Sequence, residues 1–583
     1  MEAVIREAPI GQLIRYFTKN KYFQYPEEKP GFELPETWVQ IMGELDGPKN
    51  HKKSTSAEKE EERASDPTSS GRASDATSHS STLHEDELEA NPGLENLEKT
   101  QSTPITPKKT RDGHILVDWY YTDDAENPHN WSNLKRALIA TIICLYTFVV
   151  YTTSAIYTSS EQGIMEQFGV GEVVVTLGLS LYVLGYGTGP LIFSPLSEIP
   201  IIGRNPVYIV TMFLFVIISI PTALVGNFPG LMVLRFLQGF FGSPCLASGG
   251  ASIGDMYSLH ALPYAMMAWV AAAYCGPALG PLLSGFAVPV EGWRWSLYES
   301  IWASAPVFIL MLLFLPETST PTILLRRAQR LRKIYNEKRF MSQSELDQQH
   351  MKMQAIAVDA LIKPMEITIK DPAVLFVQIY TAIIYGIYYS FFEVFPLVYP
   401  VDYNMNTGQT GLVFLCILVS CIIGIAVYSA YIYFWMNPRI DKYGWPVQES
   451  RLLPALPSSF GPTIGLFLFA WTARASIHWI APTIGITIYG ATVFIVMQCI
   501  FVYIPLSYPK YAASLFAAND FFRSALACGS VLFAHPLFGN LGVAKGVSLL
   551  GGLSVIGIVG IWLLYFYGAR LRALSKFAVF EEE

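Results

Sequence analysis

The chain has 583 residues, 51% of them hydrophobic and 15% charged, with a mean hydropathy of +0.33. Soluble domains carry roughly 25% charge, so composition excludes an ordinary soluble domain and assigns an integral membrane protein. The net charge of -7, with no extended basic face, excludes a nucleic-acid partner.

Residues 1–46 form an N-terminal segment in which Val4, Ile5, Ile10, Leu13, Ile14 and Phe17 recur at helical spacings. This predicts a short amphipathic helix, suited either to a membrane surface or to the protein's own face. The opening "MEAVIREAPIGQL" mixes acids and bases without an apolar core, unlike a signal peptide. Residues 47–130 read as a linker followed by the lead-in to the first span. From 47 to 113 the chain is rich in Ser, Thr, Glu and Lys and nearly free of aromatics, a disordered composition.

Apolar runs begin after Lys135. A bilayer core needs about 20 apolar residues per helix. Twelve spans are predicted: 136–158, 173–193, 206–226, 230–251, 264–287, 297–315, 373–398, 410–435, 454–472, 479–504, 511–534 and 546–567. The ninth is the weakest, because Pro454, Pro457 and Pro462 crowd its start. The polar stretch 316–371 reads as a central cytoplasmic loop between a first half, 131–315, and a second half with its tail, 372–583. The expected fold is therefore an all-α integral membrane protein of twelve transmembrane helices in two six-helix halves. Lys135-Arg136, "LLRRAQRLRK", Arg439, Lys442 and Arg572 place both termini in the cytoplasm. On that topology the "NWS" acceptor at Asn130 is cytosolic and unused. All seven cysteines lie inside apolar runs without ligand spacing, as small hydrophobes rather than a disulfide frame.

Charges inside spans each cost about 2.5–3.5 kcal/mol on insertion scales and need a partner or a wet cavity. Arg235 lies in span four, Glu393 in span seven, and Asp520 with Arg523 in span eleven. Asp520 and Arg523 are three residues apart and share a helix face, so mutual neutralisation competes with a functional role. Arg235 and Glu393 have no local partner, which favours proton coupling or substrate binding. In span five, Gly276, Gly280 and Ser284 recur every four residues with Pro277 and Pro281 between, and Gly285 follows. Small residues allow a close backbone approach, so simple packing is the competing explanation. Span seven is rich in rings; Tyr388, Tyr389 and Phe392 near Glu393, and Phe521 beside Asp520, are the candidates for a substrate wall. From Val173 to Leu234, Glu198 and Arg204 are the only charged residues. No P-loop, nucleophile elbow or HExxH motif is present, and no histidine pair has metal spacing, so neither enzyme, cofactor nor metal site is expected.

Together these features resemble the major facilitator superfamily, specifically the fungal twelve-span drug:proton antiporters, over nearly the whole chain outside the linker. "DDAENPHNWS" looks like the lead-in of that fungal group. "SPLSEIPIIGRNPVY" is similar to the superfamily loop Gly-x-Leu-x-Asp-Arg-x-Gly-Arg, with Glu198 at its acid and Gly203-Arg204 at its later Gly-Arg. It departs in Ser194 for the first glycine, a missing arginine after the acid, and two extra residues before Gly203. "RFLQGFFGS" resembles the span-four motif, "GPALGP" the antiport motif of span five, and "LPETSTPTILLRRAQRLR" and "RSALACGSVLFAHPLF" further family stretches. Within the group, "SEIPIIGRNPVY" and the N-terminal stretch resemble the subgroup linked to benomyl, azole and cycloheximide resistance.

The resemblance implies proton-coupled export of hydrophobic or weakly cationic drugs, toxins or metabolites by a monomer in the plasma membrane. Arg235, Glu393, Asp520 and Arg523 would couple protons, with Gln238 in the substrate cavity beside the rings named above. Glu198, Gly203, Arg204 and Asp255 would form a cytoplasmic latch locking the first half against the second. A nutrient symporter and a non-transporting sensor are the alternatives of other classes.

Overall fold

The computed structural model describes residues 2–46, 102–110, 112–348, 362, 365–444, 446–508 and 512–575. Most of the expected linker, 47–101, lies outside the described residues. Among them, eleven helices are long and apolar enough to cross a membrane. Spans 1 to 6 are Asn133–Phe168, Glu172–Glu198, Arg204–Leu224, Phe228–Gly254, Leu262–Glu291 and Trp295–Phe314. Spans 7 and 8 are Pro372–Tyr403 and Thr407–Tyr443, and spans 10 to 12 are Ile480–Ile504, Leu515–Leu541 and Val543–Ala573. The predicted ninth span is broken into Ala455–Ser458 and Gly461–Thr472, the second piece packing against spans 10 and 12. Prolines cause the break: Pro462 can open a helix but has no N–H to continue one. The two halves meet where span 2 packs on span 11 and span 5 on span 8.

The N-terminal segment folds onto the protein. Helices Glu2–Glu7 and Pro9–Phe17 pack against span 6, the second reaching span 3 as well, and Glu7 pairs with Lys135 at 2.8 Å. Of the two sites open to the amphipathic pattern, the protein's own face is occupied, and the helix divides ahead of Pro9. Residues 102–110, 112 and 113 are ordered too, correcting the disordered expectation for that part. Ile115–Leu116 pairs in parallel with Phe340–Met341, and Trp38 Nε1 donates to the Ile105 carbonyl at 3.0 Å. Trp38, Ile115, Val117 and Tyr120 form a small core against Ala328 and Leu331 of the central helix Thr320–Tyr335. Composition misled because 102–110 is held from outside itself: Ile105 donates its amide to the Tyr120 carbonyl at 3.0 Å, and the Lys108 carbonyl accepts from the Leu116 amide at 2.9 Å.

The same helix turns Arg327 and Arg330 inward. Arg327 is 1% exposed; it bonds both oxygens of Asp124 at 2.7 and 3.1 Å and lies 3.3 Å from Glu126 and 3.6 Å from Glu27. Arg330 donates to Glu126 at 2.8 Å and Glu27 at 3.2 Å, over the Tyr25 ring. The N-terminal segment, the lead-in to span 1 and the central helix are thus one ion-paired unit on the face where span 1 begins and span 12 ends, the terminal face.

Candidate functional site

Between the halves the side chains fall into three levels along spans 7 and 11. Nearest the terminal face, a cavity is lined by Tyr151, Trp269 and Tyr274 of the first half and Phe501, Phe516, Asn519, Asp520 and Arg523 of the second. Arg523 forms an ion pair with Asp520, donates to Tyr151 Oη at 3.3 Å, and lies 4.4 Å from the centre of the Tyr385 ring. Both charged residues are about 5% exposed, and Asp520 Oδ2 is buried with no hydrogen bond. The pairing predicted from their spacing is present, and it faces a cavity.

The middle level is a tyrosine layer. Tyr186 Oη meets Tyr385 Oη at 2.5 Å and donates to Tyr389 Oη at 2.9 Å, which meets Ser154 Oγ at 3.1 Å. Tyr388 Oη donates to the Tyr274 carbonyl at 3.0 Å. Spans 1, 2 and 5 of one half are thereby tied to span 7 of the other. Tyr388, Tyr389 and Phe392 sit in this layer, mutually in ring contact, rather than among the residues lining the cavity, and Phe521 packs on Phe522.

One turn further along span 7, at a helical rise of about 1.5 Å per residue, Glu393 is 2% exposed with Oε2 3.1 Å from His535 Nε2. Sequence reasoning missed His535 because it ended span 11 at residue 534, one position short, whereas the helix runs on to Leu541.

Arg235 is fully buried and meets no carboxylate among its recorded bonds. It donates to the carbonyls of Thr153, Ser154 and Gly178 at 3.0 Å each and to Gln238 Oε1 at 3.1 Å, beneath the rings of Tyr157 and Tyr182. Gln238 in turn donates to Ser219 at 2.7 Å, facing span 3. Arg235 therefore ties spans 1, 2 and 4 together by satisfying carbonyls where span 1 leaves regular α-helix at Ile156.

In span 5, an added Cβ at Gly280 would lie 2.8 Å from the Ile156 amide nitrogen, and one at Gly276 2.7 Å from Tyr151 Cβ. The Gly-Pro repeat is thus pressed onto span 1, while one at Gly285 would lie 3.0 Å from the Thr407 carbonyl of span 8. Pro277 and Pro281 lie inside the same helix, whose missing donors leave it free to bend along this contact.

At the terminal face, Arg204 pairs with Asp255, as expected. Glu198 is exposed and makes no ion pair among the described residues, standing near enough to Arg204 only for a longer-range electrostatic interaction. The acid closing this corner is Glu317 of "LPETS": one oxygen accepts from the amides of Arg204 at 3.2 Å, Thr318 at 3.1 Å and Ser319 at 3.1 Å, the other from Asn205 at 3.2 Å. Gly203 is required here, with φ +80° and Glu317 Oε2 2.4 Å from where a Cβ would stand. A carboxylate on the free amides of a helix N-terminus is favourable. Gly203, Arg204, Asn205 and Asp255 belong to the first half, and Glu317 to Ser319 follow directly on its last span, so the contact holds spans 3 and 4 to the end of span 6 instead of bridging the halves. Glu317→Ala should strand those amides and destabilise the corner by about 1–3 kcal/mol, measurable as a lower melting temperature in detergent.

The helical fold matches known proteins. The sequence pattern of the Major Facilitator Superfamily covers residues 143–531. The chain belongs to this superfamily. This facilitator is 47% identical to "MFS-type transporter pyvG" of Aspergillus violaceofuscus (81% of this chain, 87% of that protein). It is 35% identical to the "Cycloheximide resistance protein" of Candida maltosa (99% and 100%). It is 39% identical to "Fluconazole resistance protein 1" of Saccharomyces cerevisiae (79% and 84%). The solved structure of the proton:xylose symporter XylE superposes with a TM-score of 0.55 at 14% identity, over 75% of this facilitator and 96% of that chain. The superfamily is one of multi-pass membrane transporters, not enzymes.

Proposed function

We propose that this facilitator exports hydrophobic or weakly cationic small molecules in exchange for protons. It would work at the plasma membrane with both termini cytoplasmic, by rocking its halves about the interface described above. The reading rests chiefly on one observation: two buried acids, Asp520 and Glu393, stand on either side of a tyrosine layer between the halves. The names of the resistance proteins it resembles support the substrate class.

In this scheme the aromatic cavity at the terminal face admits substrate from the cytosol, where rings supply dispersion contact and Asp520 an acceptor for a cationic group. The tyrosine layer seals that cavity from the opposite side. Glu393 binds the exchanged proton, because it is buried between the halves with one oxygen against the His535 imidazole, a group that can hand a proton over. Loading and unloading it changes the charge buried at the interface, which biases the two halves between their arrangements. Arg235 acts as a fixed positive centre of the first half.

The test is drug resistance conferred on a transporter-deficient yeast. The full chain should raise tolerance to azoles or cycloheximide, and Glu393→Gln should lose at least tenfold of the exported flux, in the range of roughly 10²–10⁴ for a lost proton-transfer group. Full resistance with Glu393→Gln at equal surface abundance would remove Glu393 from coupling.

A further inference from the structure

His535 lies on span 11 close to the face opposite the termini. Its Nε2 is 3.1 Å from Glu393 Oε2 of span 7, and its Nδ1 is 3.8 Å from Glu172 Oε2 at the start of span 2. The Glu393 side chain is 2% exposed and that of Glu172 is 73% exposed, so one imidazole stands between a buried acid and an exposed one. Glu393 Oε1 is buried without a hydrogen-bond partner, leaving acceptor capacity beside the ring unused. Behind Glu393 stands a third acid, Glu161, close enough to interact with it electrostatically, whose Oε1 is likewise buried and unbonded. Tyr157 interacts with both acids and lies against the Arg235 guanidinium.

Imidazole is the side chain whose charge changes near neutral pH, and its two nitrogens point in opposite directions. Here each nitrogen has its own carboxylate. We propose that His535 relays protons between Glu393 and the water layer at Glu172, and so is the path by which the exchanged proton enters from the side opposite the termini. Starting from the neutral ring with its proton on Nε2, an O–H bond of hydronium or of protonated Glu172 breaks as Nδ1–H forms, leaving water or the Glu172 carboxylate; the Nε2–H bond then breaks as its proton passes to Glu393 Oε2. The carboxylate becomes a neutral acid and the ring returns to neutrality, with no electron transferred. Glu172 belongs to the first half and its two partners to the second, so movement of spans 2 and 11 at this face joins or parts the outer member of the relay. The inference rests on the reading of Glu393 as the coupling acid.

The experiment uses the purified full chain in proteoliposomes, with rhodamine 6G, a hydrophobic cation, as the transported probe. Two rates are compared: uptake driven by a pH gradient, and dye-for-dye exchange with no gradient, which needs no net proton movement. His535→Gln should slow gradient-driven uptake by about tenfold or more, shift its pH profile, and retain exchange. For His535→Ala, added imidazole should restore part of the gradient-driven rate. Loss of gradient-driven uptake in Glu393→Gln with its retention in His535→Gln would overturn the relay and leave the coupling acid standing. Retention in Glu393→Gln would overturn both. Loss of exchange in His535→Gln, without rescue of His535→Ala by imidazole, would make His535 a packing residue and overturn the relay.

Discussion

Arg327→Met should release the N-terminal segment from the central helix. The guanidinium is 1% exposed and shared by Asp124, Glu126 and Glu27. Removing it leaves Asp124 without its arginine and Glu126 and Glu27 on Arg330 alone, a loss of about 3–5 kcal/mol for breaking a buried pair. The measurement is proteolysis of residues 2–46 and 112–130 in the intact protein, which should accelerate while helix content is unchanged. The sign of the pH dependence follows from the same contacts. Burial alone would raise Asp124, but the hydrogen bonds and charge of Arg327 outweigh it and hold the carboxyl below its usual range. Glu126 is likewise lowered on balance, by Arg330 and Arg327 against burial. Unfolded values are about 3.9 for Asp and 4.3 for Glu. A group lowered on folding stabilises fully above its unfolded value and loses that contribution as pH falls through the folded one. Docking should therefore be constant from neutrality down to about pH 5 and fail only in stronger acid.

Asp520→Ala should be still more damaging to function. It would leave Arg523 buried with only Tyr151 Oη at 3.3 Å and the face of Tyr385 as recorded partners. Stability should fall by about 3–5 kcal/mol, with loss of transport. The informative control is the double variant Asp520→Leu with Arg523→Met, which removes both charges and keeps the volume. Replacing a whole buried pair by apolar residues is often neutral or stabilising, so folded protein should return. If the pair only neutralised itself, transport would return with it. The cavity placement predicts that thermal stability and surface abundance recover while export of a cationic dye does not.

The spans were legible because lipid demands long apolar helices, and the ninth is broken into two pieces at the prolines that weakened it in the sequence. The Asp520–Arg523 contact was legible because it is local, three residues on one helix. Contacts between distant segments were not. "DDAENPHNWS" and "LLRRAQRLRK" could be recognised, but nothing in either says that Asp124 and Glu126 clasp Arg327 and Arg330. Glu317 was read as part of a family stretch, whereas its two oxygens serve four amides around Gly203. His535 fell one residue beyond the predicted end of its span; the available signal was a lone histidine continuing an apolar run, "VLFAHPLF".

The central claim is that substrate and proton move in opposite directions. Proteoliposomes holding a pH-sensitive dye and the full chain, with equal pH on both sides, are given rhodamine 6G from outside, and internal pH is followed. Antiport predicts that protons leave as rhodamine enters, an internal alkalinisation that Glu393→Gln abolishes. Internal acidification, or rhodamine uptake with no proton movement, would contradict the account.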